Sequence, residues 1–278
     1  LSIDQCIFVT TVSSCVLNCS SLIELNIFSS GGCDEIMECT FPNLERFTWW
    51  FSYMNGENCD ILHKFIKWHD HLKSIKITVC CNELLNVIDS NCKELEELIL
   101  MDMEEFKFSA LDSFAKLKIL DFDFGYSHRY KLYDCISLLK TVKSLETMRM
   151  SCICRFSETP VQIFDVLSQL ENLREFHFTL GSVNFIPWTK LAQLRKVIIY
   201  SCRCYPRDIT NMIEQLINLE ELEMKRSGPF GPLLSEKDFL KICKIVERRE
   251  HVLTLKCKLS SELKKYCDDN RRVKLINV

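Results

Sequence analysis

Glycine and proline are scarce in this chain, which has 7 glycines and 6 prolines among its 278 residues. No stretch is rich enough in Gly, Ser or Pro to predict a flexible linker between domains. The longest apolar runs, such as residues 6–12, contain polar breaks and are too short to span a bilayer. We therefore expect turns built largely from Asn, Asp, Ser and Cys, and no membrane partner.

An excess of either charge is also missing. Lysine and arginine number 35 against 38 aspartates and glutamates, so the formal net charge is -3. Binding to nucleic acid requires clustered cations that neutralise phosphates, and neither a basic nor an acidic tail is present. We expect no nucleic-acid partner. The hydrophobic fraction of 47% is nevertheless enough to bury a sizeable core.

Recognisable catalytic signatures are lacking as well. Gly31 and Gly32 are not followed by the Lys-Ser/Thr pair that a phosphate-binding loop needs. His63, His69 and His71 fall at a predicted helix–strand junction and form no Ser/His/Asp or Cys/His arrangement. We predict that the chain is not an enzyme and uses no cofactor.

Cysteine, by contrast, is abundant, with 17 residues. An odd number cannot pair entirely within one chain, and a chain of this length is not a small disulfide scaffold. Cys152-x-Cys154 and Cys202-x-Cys204 do not match the wider pairs of structural zinc sites, so we expect no metal. Buried packing cysteines of an intracellular protein, cytoplasmic or nuclear, are predicted instead. Because the first residue is Leu1 and not methionine, we also expect a piece of a longer protein.

A six-residue pattern recurs along the chain: a leucine, two variable residues, an apolar residue, one variable residue and a second apolar residue. Its first copy occupies residues 22–27, with the sequence LIELNI. Strong copies begin at residues 22, 44, 72, 95, 117, 145, 173, 194 and 219. A weaker tenth copy begins at Val252, and an eleventh is predicted at Val273, Ile276 and Val278. Separations of 21 to 28 residues between the strong copies are typical of leucine-rich repeats, which run for roughly 20–29 residues.

The end of each copy has the period of two that a strand requires. The predicted fold is therefore α/β, a leucine-rich-repeat solenoid with a curved parallel sheet and helices or turns on its convex side. We expect one domain over 1–278 with ten to eleven irregular repeats, in which 227–278 form an atypical C-terminal capping region. The predicted helices cover 60–72, 82–95, 159–173, 208–219 and 235–249, with Thr159 and Asp208 as N-caps. The short gaps 27–44 and 178–194 leave room for a single turn.

Strand positions that point away from the core are the natural binding surface of such a fold. The candidate partner-binding residues on this concave face are Phe28, Trp50, Phe51, Lys76, Met101, Asp121, Asp123, Arg149, His177, Tyr200, Glu223 and Lys225. Clustered exposed aromatics, here Phe28, Trp50 and Phe51, are typical interface anchors. The alternative is that a preceding segment covers them. For the charged residues between 121 and 177, the alternative is mutual pairing across adjacent strands.

Four cysteines carry a family resemblance. Cys19 and Cys92 stand three residues before a repeat leucine, and Cys80 and Cys202 occupy the ninth repeat position. This pattern resembles the cysteine-containing leucine-rich repeats of F-box proteins, although several copies lack both cysteines and repeat lengths vary. The resemblance implies a substrate receptor of a cullin-type ubiquitin ligase. Its F-box, not found in this chain, would precede the repeats and dock the adaptor and cullin.

The sequence also resembles a second protein family. Plant nucleotide-binding receptors also carry irregular leucine-rich repeats with segments like Phe41-Pro-Asn-Leu44-Glu-Arg46. The alternative function is therefore the recognition domain of an immune or signalling receptor, which a nucleotide-binding module would precede. Both hypotheses imply a protein ligand on the concave face.

Overall fold

The computed structural model describes residues 2–4, 20–29, 34–51, 56–78, 82–101, 114–123, 132–151, 161–179, 186–200, 206–225, 234–257, 263 and 272–277. The chain divides into two compact units, residues 1–145 and 146–278. In each unit the strands are parallel and follow one another in sequence order.

The first unit alternates strands with helical returns. Its strands are β1 (Ser2–Asp4), β2 (Glu24–Ser29), β3 (Arg46–Phe51), β4 (Ser74–Thr78), β5 (Glu97–Met101) and β6 (Ile119–Asp123). Its helices are α1 (Asp34–Met37), α2 (Gly56–Trp68), α3 (Asn82–Asn91) and α4 (Leu132–Thr141). Strand β1 pairs with β2 through Ser2 and Asn26, which adds a strand upstream of the first predicted repeat.

The second unit has the same plan. Its strands are β7 (Thr147–Ser151), β8 (Glu175–Thr179), β9 (Lys196–Tyr200), β10 (Glu221–Lys225), β11 (Leu253–Cys257) and β12 (Val273–Asn277). Its helices are α5 (Val161–Leu167), α6 (Pro206–Gln215) and α7 (Glu236–Val246), and residues Trp188–Leu191 form a 3-10 turn.

The strand register places equivalent repeat positions side by side. Leu98 lies opposite Ile75 on one side and Leu120 on the other. In the second unit Val197 lies between Phe176 and Leu222. These fourth-position side chains have no exposed surface. A continuous apolar row thus fills each core, because a side-chain period of two sends alternate residues to the same face.

A tight turn precedes strands β3 to β6 and β8 to β10. The amide of the first repeat leucine donates to the carbonyl three residues earlier, as in Leu72 to His69 at 3.2 Å and Leu95 to Cys92 at 3.2 Å. The next residue then joins successive repeats: the Glu96 amide donates to the Lys73 carbonyl at 2.8 Å. These hydrogen bonds satisfy backbone groups that would otherwise be left unpaired beside a buried core.

The outer returns confirm the predicted use of helices in long gaps and single turns in short ones, with corrections to their bounds. Helix α2 begins at Gly56 and so starts before residue 60. Helix α5 ends at Leu167, because tight turns with hydrogen bonds from Leu170 and Leu173 replace the helix before the next strand. The predicted N-cap Thr159 lies outside the described residues.

The prediction of Asp208 as an N-cap is wrong. Helix α6 begins at Pro206, so Asp208 lies inside the first turn and is 9% exposed. Proline suits this position because its fixed φ is already helical and its missing amide hydrogen would have no partner there.

The predicted core positions of the last repeat are also wrong by one residue. The sequence pattern predicts Val273, Ile276 and Val278, but β12 pairs with β11 so that Leu275 lies opposite Leu255. Val273 and Leu275 are buried. The pairing register decides which side chains of β12 are buried, because a slip by one residue turns every side chain of a strand to the other face.

The predicted fold class is confirmed: the chain is an α/β protein with the leucine-rich-repeat arrangement of parallel strands and helical or turn returns. The single-domain assignment and the capping role of residues 227–278 stay predictions.

Candidate functional site

The strands of each unit present a row of side chains on the face opposite the buried apolar row, and we call this the open face of that unit. It is formed by the third, fifth and seventh repeat positions, for example Glu24, Asn26 and Phe28 on β2. Apolar and charged residues are distributed differently over the open faces of the two units.

An aromatic pair marks the open face of the first unit. Phe28 and Trp50 are opposite one another in the β2–β3 register, and their ring centroids are 6.3 Å apart at a tilt of 36°. The Trp50 side chain remains 48% exposed, whereas Trp49 beside it is buried in the core. Two of the three predicted anchor residues thus form one apolar patch.

Polar contacts border this pair. The Arg46 guanidinium and the Asn26 amide both donate to the Glu24 carboxylate, each at 2.9 Å, and they lower the pKa of Glu24. Further along the face, Lys76 lies 3.8 Å from the Glu97 carboxylate, which also accepts from the Ser74 hydroxyl at 2.5 Å. The patch therefore has a rim of mutually paired polar groups.

Alternating charges occupy the open face of the second unit. The Lys196 ammonium lies 2.9 Å from Glu175 on β8 and 3.7 Å from Glu221 on β10. Lys256 on β11 approaches Glu221 at 3.0 Å. We call these four residues the charge lattice. Because each charge has an opposite neighbour, the lattice holds its side chains in defined positions across four strands.

Glu175 has the most perturbed carboxyl of this lattice. Its Oε1 hydrogen-bonds with Nε2 of His177 on the same strand. That bond and the Lys196 ammonium lower the pKa of Glu175 to about 2, although burial alone would raise it. His177 is itself only 7% exposed, so its polar edge is directed at Glu175 and little of it reaches solvent.

A cation–π contact adjoins the lattice. The Lys225 ammonium lies 5.3 Å from the centroid of the Tyr200 ring and 3.2 Å from the Glu223 carboxylate. The Tyr200 ring also lies 6.4 Å from the His177 ring. Four of the predicted site residues, His177, Tyr200, Glu223 and Lys225, therefore form one connected group.

The remaining predicted residues are less informative. Met101 and Asp121 are half-buried on the open face of the first unit, and Arg149 is half-buried on that of the second. Nε of Arg149 has no hydrogen-bond partner among the described residues. The side chains of Phe51 and Asp123 lie outside the described residues, although both positions end a strand.

Sequence reasoning missed the third repeat positions. Glu175, Lys196 and Glu221 precede the fourth-position residue of their repeats directly, and a period of two assigns them to the open face. Their alternating charge on successive strands was a readable signal. Apart from Phe51, the predicted binding residues are at fifth and seventh positions, and none of the four lattice residues is among them.

A second missed feature lies in the core. Among the described residues, those three positions before a repeat leucine are buried, and they include Phe41, His69, Cys92, Phe114, Leu170, Leu191 and Leu216. Cys92 is a buried thiol whose Sγ lies 4.0 Å from the His69 carbonyl, and burial raises its pKa to about 12. Cysteine at this position therefore fills space in the same way as phenylalanine and leucine do in other repeats.

The described residues lack two kinds of feature, a metal-binding cluster and a membrane-spanning helix. They contain no cluster of three or more His, Cys, Asp or Glu side chains able to hold a metal ion. Within the same ranges, no helix combines the length and the hydropathy needed to cross a membrane.

Comparison with known proteins gives similarity of fold alone. No protein-family model and no curated protein matches the chain. Among solved structures, internalin C2 of Listeria monocytogenes is 12% identical with a TM-score of 0.39, covering 79% of this chain and 84% of its own. Internalin F of the same organism is 16% identical with a TM-score of 0.45, covering 93% and 67%. A leucine-rich-repeat protein of Leptospira interrogans is 17% identical with a TM-score of 0.46, covering 84% and 61%.

Proposed function

We propose that the chain is a protein-binding module whose partner docks on the open face of the first unit. The observation that carries this proposal is the Phe28–Trp50 pair, because a tryptophan 48% exposed beside a second ring leaves a large apolar area in water. Aromatic anchors surrounded by satisfied polar groups are the usual composition of an interface hot spot. The Glu24–Arg46 ion pair supplies such a surround.

The charge lattice supports a different role for the second unit. Lattice residues are largely paired with one another, so a partner would have to displace existing ion pairs to use them. Exposed pairs of this kind contribute about 0–1 kcal/mol each, and they favour selection among partners over tight binding. We assign affinity for the partner of the first unit to the aromatic pair, and selection among partners of the second unit to the lattice.

For the biological context, we propose the substrate-recognition part of an F-box component of a cullin-type ubiquitin ligase in the cytoplasm or nucleus. Support comes from Cys92, which is buried three residues before Leu95 at the end of a helical return. That is the place of the cysteine in the F-box type of repeat. The adaptor and cullin would be reached through an F-box upstream of the repeats.

Affinity purification of the full gene product from its native cells tests this assignment. We expect the adaptor and cullin among the recovered proteins, together with a ubiquitinated substrate. Recovery of other partners without those two would overturn the ligase proposal. The protein-binding proposal is tested separately by substitution at the aromatic pair.

The matched substitutions are Trp50→Ala and Trp68→Ala. Trp68 is 47% exposed, at the end of α2, and so controls for residue type and exposure. Loss of a hot-spot tryptophan costs about 2 kcal/mol or more, so Trp50→Ala should weaken partner binding by about 30-fold while Trp68→Ala does not. Equal effects of both variants, or a large fall in melting temperature for Trp50→Ala alone, would contradict a docking role.

A receptor of the nucleotide-binding type is the second candidate. The observation that favours it is the turn at residues 41–44, in which Phe41 and Leu44 are buried and the Leu44 amide donates to the Phe41 carbonyl at 3.1 Å. That segment is the one that resembles such receptors. Sequencing the gene upstream of Leu1 distinguishes an F-box from a nucleotide-binding module.

A further inference from the structure

A groove lies between α6 and α7 on the helical side of the second unit, away from that unit's open face. Its volume is about 570 Å³ and it is open to solvent. The lining residues are Glu214, Ile217, Asn218, Lys241, Lys244, Ile245, Arg248, Arg249, Glu250 and His251. This surface takes no part in the docking proposed for the first unit.

One wall of the groove is basic. Lys241, Lys244 and Arg248 are spaced by three and four residues, which places their side chains on one face of α7 and its C-terminal extension. All three are exposed. None of them lies within ion-pair distance of a carboxylate in the part of the chain that the structure describes. The wall therefore differs from the charge lattice, whose lysines are all paired.

The floor holds a fourth cation. Arg249 donates through Nη1 to the Leu219 carbonyl at 3.4 Å and through Nη2 to the Ile213 carbonyl. These bonds to the end of α6 fix the guanidinium in position, and burial lowers the pKa of Arg249. Four cations against Glu214 and Glu250 give the groove a formal charge of +2, whereas the whole chain carries -3.

Apolar surface is exposed beside these charges. The Ile217 side chain is 60% exposed, the largest exposed fraction among the large hydrophobic residues described, and Ile245 lies half-buried across the groove from it. Nε2 of His251 is buried in the same groove without a hydrogen-bond partner among the described residues. The groove therefore combines positive charge, an exposed apolar side chain and the Nε2 atom of His251, which has no hydrogen-bond partner among the described residues.

We propose that this groove binds an acidic segment of a partner protein, with carboxylates against Lys241, Lys244 and Arg248 and an apolar side chain against Ile217. Charge complementarity identifies the partner's chemistry. A nucleic acid fits less well, because a wall of three cations is too short to follow a phosphate backbone. The exposed isoleucine likewise favours a peptide over a free anion.

Fluorescence anisotropy with the full chain tests the charge component. The probe is a labelled peptide in which pairs of glutamates alternate with single leucines. Lys241→Glu combined with Lys244→Glu should weaken its binding by about tenfold, because two attractions become repulsions, and added salt should weaken it as well. The control is Lys64→Glu with Lys67→Glu, which reverses two exposed lysines at the same spacing on α2.

A second comparison tests the apolar component. Ile217→Ser should weaken binding of the leucine-containing peptide and leave a version with alanine in place of leucine unchanged. Circular dichroism melting curves confirm that every variant is folded.

The proposal is overturned if the glutamate peptide does not bind, or if a glutamine version binds equally well. It is also overturned if the α2 control loses as much affinity as the α7 variant. Tighter binding of a single-stranded oligothymidylate through the same lysines would show a nucleic-acid surface instead of a protein one. None of these results depends on Trp50 or on the ligase assignment.

Discussion

Replacing His69 by leucine tests how one repeat is fastened to its neighbour. The His69 imidazole is completely buried in the row that precedes each repeat leucine by three positions. Its Nε2 accepts the Phe41 amide hydrogen at 2.9 Å, and its Nδ1 lies 2.7 Å from the Phe65 carbonyl oxygen. Since Nε2 accepts, Nδ1 must be the protonated nitrogen of a neutral ring. One side chain thus joins the turn before β3 to the end of α2.

The expected loss of stability follows from these two hydrogen bonds of His69. Leucine has about the right size for the row and keeps part of the packing against Phe41 and Phe65, whose ring centroids are 5.8 and 4.1 Å from that of His69. It leaves the Phe41 amide and the Phe65 carbonyl without their side-chain partner. An unsatisfied buried polar group costs about 1–3 kcal/mol, so we expect His69→Leu to lower the free energy of unfolding by about 2–5 kcal/mol.

Acidity should weaken the same contact. Burial lowers the pKa of His69 below its usual 6.5, with Asp70 opposing and His71 adding to the shift. A group with a lowered pKa in the folded state binds fewer protons there than in the unfolded chain. Its stability contribution is complete above about pH 6.5 and falls as the pH drops toward the folded-state pKa. Protonation removes the acceptor for the Phe41 amide.

Urea unfolding at several pH values between about 5 and 8 provides the assay. The His69→Leu chain should be less stable at neutral pH and should show a smaller fall in stability on acidification. His69→Gln is the matched control, since its amide supplies one donor and one acceptor but does not titrate. It should recover part of the stability and none of the pH dependence. A leucine variant as stable as the parent, or with the same pH slope, would refute the reasoning.

Three further predictions concern other parts of the chain. Burial raises the pKa of the Cys92 and Cys243 thiols to about 12 and about 11, so both should resist alkylation at neutral pH until the chain is unfolded. Rapid modification of the native chain would contradict this. Glu175→Gln should lower stability at neutral pH and flatten its loss between about pH 4.5 and pH 2, since the lowered pKa of Glu175 stabilises the fold only while the carboxyl is ionised. If thermal melts show the same loss of stability over this pH range in the parent and in Glu175→Gln, the prediction is wrong. Ser235→Ala removes the capping box of α7, in which the Asp238 amide donates to the Ser235 hydroxyl, and should cost about 1 kcal/mol in urea unfolding. Asn211→Ala, at an exposed position in α6, is the control and should cost less.

The repeat pattern was readable from sequence because it depends on local periodicity. Leu72, Ile75 and Ile77 predict a strand and its buried side without knowledge of any neighbour, and the structure confirms both. The same holds for the helical returns in the long gaps. Their ends were less predictable, because a helix such as α5 stops where the turn before the next strand begins to form.

The pairing register between neighbouring repeats could be determined only from the tertiary structure. In β12, Ile276 and Leu275 are equally apolar, and only the pairing with β11 decides which one enters the core. His69 is comparable: its sequence position suggests a helix–strand junction, but its hydrogen bonds depend on Phe41 in the preceding repeat. Hydrogen bonds of this kind join residues 22 to 36 positions apart, and Phe41 and His69 are separated by 28.

Sequence by itself therefore determined the fold and the row of side chains available on each open face, because both follow from periodicity within single repeats. The tertiary structure decided which of those side chains meet. It showed Phe28 against Trp50, Lys196 between two glutamates, and a basic wall on α7 facing Ile217, which follows the end of α6. The physical reason is that a binding surface is made by neighbouring repeats, and the distance between neighbours is set by packing and register.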